Sequence, residues 1–257
     1  MITEPWFYLA ASVSVLIVGI AKGGLGGGIG VVAVPLMAVF VRPAQAAAIM
    51  LPLLMVMDAL ALRVYWRLWD WHNLRVLLPA SLVGTGLGFL TVGYLSSDGL
   101  RALVGTVALL YSVHYFVRRT PAEGRPPHPV AGLFWGAAAG FTSFSIHAGG
   151  PPLQAYLLPQ LLHRTTFQAT SVLFFFVVNW SKVLPYAWLG QLSADNLFVS
   201  LVLLPLAPLG IFFGRWLHHR VNDAVFFHVV HAALFVIGVK LSDMINFILV
   251  YNGFHIF

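Results

Sequence analysis

Ala21-Lys22-Gly23-Gly24-Leu25-Gly26-Gly27-Gly28-Ile29-Gly30 and Ser143-Phe144-Ser145-Ile146-His147-Ala148-Gly149-Gly150-Pro151-Pro152 are two glycine-rich breaks, one in each half of the chain. Each interrupts an apolar stretch too long for a single membrane span and places polar groups at its middle. That pattern is the one expected of a midplane binding site built from interrupted helices.

The surroundings of the breaks fix the class. Of 257 residues, 60% are apolar and 9% charged, with a mean hydropathy of +0.88. A folded soluble domain needs more polar surface than this composition provides. Apolar blocks cover residues 6–40, 44–66, 73–95, 98–118, 129–160, 165–188, 196–217 and 224–250. Each reaches the ~20 residues that cross ~30 Å of hydrocarbon as a helix, whereas barrel strands are about 10 residues long with alternating polarity. The sequence therefore predicts an all-α polytopic membrane protein.

The net charge of +6 is the excess of fourteen Lys and Arg over eight Asp and Glu, and the basic residues are scattered singly or in pairs rather than clustered on one patch. This is not the basic patch of a nucleic-acid binder, and its role is to orient the chain in the membrane. The chain has no Cys, so thiolate metal sites and thiol nucleophiles are excluded. The start, Met1-Ile2-Thr3-Glu4-Pro5-Trp6, lacks a basic region and a small-residue cleavage site, and no removable signal peptide is expected.

The second half echoes the first. Displacement by 122 residues sets Gly27-Gly28 on Gly149-Gly150, Arg42 on Arg164, Ala47 on Ala169 and Trp66 on Trp188. Displacement by 126 sets Pro79, Gly84 and Gly88 on Pro205, Gly210 and Gly214. This predicts two repeats, 1–118 and 129–257, joined by a Pro-rich cytoplasmic linker at 119–128.

If each first block is a glycine-broken helical hairpin followed by three transmembrane helices, the repeats are inverted. Arg63, Arg67, Arg75, Arg118, Arg119, Arg125, Arg164, Arg215 and Arg220 then share one side, against Arg42, Arg101 and Lys240 on the other. The positive-inside rule favours this arrangement, with both termini outside.

Lys22 is the leading site residue, because a Lys within a span needs a partner or an aqueous cavity. Gly26, Gly27 and Gly28 beside it permit a backbone break whose half-helix N-termini and exposed amides suit an anion. The same glycines also fit the Gly-x3-Gly packing motif, as do Gly136 and Gly140. In the second break an extended backbone would set Ser143, Ser145 and His147 on one side by its period of two, ahead of Gly149 and Gly150. The two breaks are expected to meet near the midplane.

Asp58 is the acidic residue deep in a span, and Asn179 and Lys182 occupy the equivalent span of the second half. Asp58 and His147 are the proton-coupling candidates, with a structural ion pair as the competing reading for Asp58. Gln45, Gln154, Gln168 and Thr170 read as interhelical polar contacts. His228 and His231 lack carboxylate or Cys neighbours, so no metal is expected. Trp66, Trp69 and Trp71 have the composition of an interfacial belt.

The Lys-Gly-Gly-Leu-Gly-Gly-Gly-Ile-Gly break with Val34-Pro35-Leu36, the Tyr65-Trp66-Arg67-Leu68-Trp69-Asp70-Trp71 segment, and Gly149-Gly150-Pro151-Pro152 with Ala169-Thr170-Ser171 and Asn179-Trp180-Ser181-Lys182 together resemble the TauE/SafE sulfite-exporter family of membrane transporters. The resemblance implies secondary transport of sulfite, sulfoacetate or other sulfonates across a bacterial inner membrane. On this reading the partners are a small anionic substrate and lipid, with no nucleic acid and no cofactor, and the chain is a monomer or homodimer. An intramembrane serine-type enzyme using Ser143 or Ser145 with His147, and a passive anion channel, are the alternatives.

Overall fold

The computed structural model describes residues 2, 4–25, 31–94, 96–117 and 124–217, with 232, 235, 236 and 239 beyond them. Gly26, Gly27, Gly28, His228 and His231 lie outside the described residues. The helices are α1 (Pro5–Ile20), α2 (Ala33–Ala38), α3 (Pro43–Val64), α4 (Trp71–Val92), α5 (Ser97–Val117), α6 (Pro129–Ile146), α7 (Gly150–Leu157), α8 (Arg164–Ser181), α9 (Val183–Trp188), α10 (Ala194–Leu203) and α11 (Leu206–Leu217). No strand occurs among the described residues.

Among the described residues, five helical stretches are long and apolar enough to cross a membrane: Pro5–Gly24, Pro43–Val64, Trp71–Val92, Pro129–Ile146 and Arg164–Trp188. A sixth is formed if α10 and α11, bent by 41° at their junction, are taken as one span. The exposed faces are apolar, with Leu82, Val83, Leu87 and Leu90 on α4 and Phe212, Phe213 and Trp216 on α11 directed outward. The chain is therefore a multi-pass helical membrane protein.

Small residues decide which helices touch. A Cβ on Gly84 would lie 1.9 Å from the Ala137 carbonyl oxygen, and one on Gly140 2.0 Å from that of Ser81. This fastens α4 to α6 at backbone contact. The second crossing, between α1 and α11, is built alike: a Cβ on Gly23 would lie 2.4 Å from the Ile211 carbonyl oxygen, and one on Gly214 2.2 Å from that of Ile20. In lipid such close approach supplies packing that hydrophobicity alone does not.

Gly84→Ala and Gly140→Ala are each expected to cost about 1–3 kcal/mol or more, because the added methyl meets backbone that cannot rotate away. Gly86→Ala, with nothing within 4 Å of its Cβ, is expected to leave thermal unfolding in detergent unchanged. Equal melting temperatures for all three variants would contradict the crossing geometry.

Both breaks double the chain back. Ser14 Oγ reaches the Ala33 carbonyl at 3.5 Å, so α2 returns beside α1. A Cβ on Gly149 would sit 2.7 Å from the Ala139 carbonyl oxygen, and one on Gly132 3.0 Å from the Tyr156 hydroxyl, so α7 runs back along α6. Helices α3 and α8 are antiparallel: Asp58 bonds Asn179, while Tyr65 and Arg164 bond the neighbouring carbonyls of Gly23 and Gly24.

The described parts of the two breaks come together, since Lys22 of the first and Ser143, His147 and Gly150 of the second border one cavity. Away from that cavity the Gly23 carbonyl accepts from Tyr65 at the end of α3, and the His147 ring contacts the Ala47 carbonyl near its start.

Candidate functional site

Between the tips lies a buried polar cluster. Residues Ala21–Leu25 extend α1 as a turn of π-helix, which directs the Lys22 ammonium onto the Asp58 carboxylate of α3. Asp58 also accepts from Asn179 Nδ2 at 2.6 Å. Across the cluster, Lys182 Nζ donates to Ser143 Oγ at 2.7 Å and to Asn179 Oδ1 at 2.8 Å, and stands 3.0 Å from His147 Nδ1. All six residues are buried, Asp58 and Lys182 completely.

Hydrogen-bond chemistry fixes the protons. His147 Nε2 lies 2.9 Å from the Ala47 carbonyl, which only accepts, so Nε2 carries the hydrogen and Nδ1 presents its lone pair to Lys182. Lys182 then has three hydrogen-bond partners, of which His147 Nδ1 and Asn179 Oδ1 accept and the Ser143 hydroxyl can accept or donate. The chain of bonds follows α3 from Ala47 to Asp58, about 16 Å of helix rise, and is centred near Pro52.

Each side chain is placed by a local irregularity. His147 ends α6 in the left-handed conformation at φ 54°, uncommon for a residue with a Cβ and held only by its surroundings. Its amide donates to the Ser143 carbonyl and that of Ala148 to Thr142, while its ring stacks on Tyr186 with centroids 6.1 Å apart. Lys182 sits at the joint between α8 and α9. Lys22 also lies 5.3 Å from the centroid of the Phe175 ring.

A cavity of about 20 Å³, bounded by Lys22, Leu54, Ser143, His147, Gly150 and Asn179, opens inside the cluster. That volume holds about one water molecule. A ligand with several heavy atoms enters only when the surrounding helices separate.

The sequence expectations divide on local geometry. Ser143 and His147 share a face because α6 stays helical through Ile146, and the 3.6-residue period replaces the expected period of two. Ser145 is turned away and donates to the Phe141 carbonyl at 3.0 Å. Gly150 borders the cavity, but Pro151 and Pro152 that follow it have no N–H, so α7 offers fewer amides than a usual helix start. Gly149 is required by contact with α6.

At the first break the described carbonyls, rather than amides, meet side chains. Tyr65 donates to the Gly23 carbonyl at 3.0 Å, Gln168 to that of Lys22 at 2.8 Å, and Arg164 to that of Gly24 at 3.2 Å. Tyr65 and Arg164 were not legible as site residues, since at the ends of spans they read as interfacial. Gln45 donates to Asn196 Oδ1 at 3.2 Å. Thr170 accepts from the Asp70 amide at 2.9 Å. Trp66, Trp69 and Trp71 pack edge to face at 5.5 and 5.9 Å.

The model of the family described as sulfite exporter TauE/SafE matches residues 11–241. No curated protein and no solved structure matches the chain. The family match spans both hairpins and every residue of the buried cluster, and on that extent the chain belongs to the sulfite exporter TauE/SafE family of membrane transport proteins.

Proposed function

We propose that this protein is a secondary transporter that carries a small sulfur-containing anion, such as sulfite, sulfoacetate or another sulfonate, across a bacterial inner membrane by alternating access. The observation that carries the reading is the composition of the buried cluster. Two lysines, Lys22 and Lys182, stand in it against one carboxylate, Asp58, which pairs with Lys22. Buried charge in excess of its partners is costly, and a bound anion relieves that cost. Ser143 and Asn179 offer hydroxyl and amide groups to its oxygens.

The description of the family supports sulfur oxyanions over carboxylates. A thermal-shift screen of the purified protein against sulfite, thiosulfate, sulfoacetate, taurine and small carboxylates tests this, since a ligand that binds only the folded state raises its melting temperature. A shift confined to carboxylates would overturn the substrate class.

The halves 1–118 and 129–257 act as inverted repeats on this reading. Support comes from the exchange of partners, α1 on α11 and α6 on α4, and from the antiparallel course of α3 and α8. A proton on Asp58 would release Lys22 for the anion, which couples the two fluxes. In proteoliposomes, Asp58→Asn is expected to abolish the response of anion uptake to an imposed pH gradient while downhill uptake persists. An unchanged response would remove Asp58 from coupling.

One contact favours a second reading, the 2.7 Å approach of Lys182 to Ser143, since Ser–Lys pairs occur among hydrolases. A base must be free to take the serine proton. Here Lys182 Nζ is also held by His147 Nδ1 and Asn179 Oδ1, so it is not free for that role.

A further inference from the structure

A second and larger cavity lies beyond the His147 tip. It occupies about 460 Å³ between the start of α3 and the junction of α9 with α10, with Arg42, Gln45, Ala48, Gln191, Asp195 and Asn196 on its walls. Nothing in the cluster chemistry above uses it. Ala48 on its wall is next in sequence to Ala47, whose carbonyl accepts from His147. His147 also borders the inner cavity. The contact of one imidazole with one backbone carbonyl thus stands between the two spaces.

The α3 backbone is adapted at this level. Pro52 has no N–H, so the Ala48 carbonyl lacks its donor within the helix. The neighbouring Ile49 carbonyl accepts from Ser200 Oγ of α10 at 2.8 Å. Residues Ala44, Ala46, Ala47 and Ala48 keep this part of the helix slim. At the far end of α3, Tyr65, Gln168 and Arg164 hold three successive carbonyls of the first break.

We propose that the cavity at the start of α3 is the entrance by which the anion reaches the Lys22–Lys182 cluster, and that His147 is the gate between them. The inference rests on the anion-transport reading for what passes through. The Arg42 guanidinium at the wall supplies the attraction for an anion, beside the Asp195 carboxylate and the amides of Gln45, Gln191 and Asn196. The left-handed backbone at His147 fits a gate: rotation of this one residue withdraws the ring from Ala47 without unwinding α6.

The absence of native Cys permits a test free of background. Ala48→Cys, Leu54→Cys and, as a lipid-facing control, Leu82→Cys are treated with a charged, membrane-impermeant methanethiosulfonate reagent from each side of oriented vesicles. Ala48→Cys is expected to react from the Arg42 side alone, and Leu54→Cys at least ~10-fold more slowly, since reactivity follows thiolate exposure. Adding His147→Asn to Leu54→Cys is expected to raise its rate toward that of Ala48→Cys, because Asn tolerates the left-handed backbone but does not reach Ala47.

Leu54→Cys reacting as fast as Ala48→Cys with His147 intact, or from the opposite side, would overturn the proposal. So would an unchanged Leu54→Cys rate in the His147→Asn variant. Should that double variant fail to fold, the sidedness and relative rates of the single-Cys proteins decide alone. Labelling reads access and not affinity, so a failed entrance and a failed anion site give different results.

Discussion

Lys22→Met is expected to destabilise the protein by about 3–5 kcal/mol, the cost of leaving a buried carboxylate without its cation. Asp58 is fully buried, and its other partner, Asn179, contributes a neutral hydrogen bond that does not replace a charge. Adding Asp58→Asn removes the orphaned carboxylate, so the Lys22→Met/Asp58→Asn protein should recover most of the lost stability. Thermal unfolding of the four proteins in a double-mutant cycle measures the coupling. Additive losses would show that the ion pair is not the source of the effect.

Lys182→Met is expected to have an effect of similar size for a different reason. No carboxylate is abandoned, but Ser143 Oγ, His147 Nδ1 and Asn179 Oδ1 all lose their partner. Each unsatisfied buried polar group costs roughly 1–3 kcal/mol. Unlike the first case, no single second substitution restores stability, because the loss is spread over α6 and α8. Lys182→Arg is not expected to rescue, since the planar fork of guanidinium does not match three partners converging on one nitrogen and the cavity beside it is small. Stability within 1 kcal/mol of wild type for Lys182→Met would contradict the bonding described for this residue.

The parts of this site that were legible in the sequence stood out against an apolar background. Lys22, Asp58, Asn179 and Lys182 are polar residues in spans that otherwise have few, and lipid leaves such groups no partner except one another. The Gly-x3-Gly pairs likewise read directly as crossings. What was not legible depended on where a helix stops. Whether Ser145 faces the site turns on α6 continuing to Ile146, and the glycines and prolines downstream do not set that point within a residue or two.

The convergence of the two breaks was legible as well, since Lys22 and His147 border one cavity. Tyr65 and Arg164 illustrate the remainder, since their role arises from carbonyls of a distant segment, and no side-chain pattern marks a backbone acceptor.

The central claim is that an anion occupies the cluster between Lys22 and Lys182. Calorimetric titration of the purified Lys22→Met/Asp58→Asn protein with sulfoacetate, beside wild type at equal ionic strength, tests it most directly, because the double variant keeps its fold while losing the cation. Saturable binding by wild type and at least ~10-fold weaker binding by the folded double variant, which keeps Lys182 but lacks the Lys22 donor, is the predicted result. Binding of equal affinity by both would contradict the account.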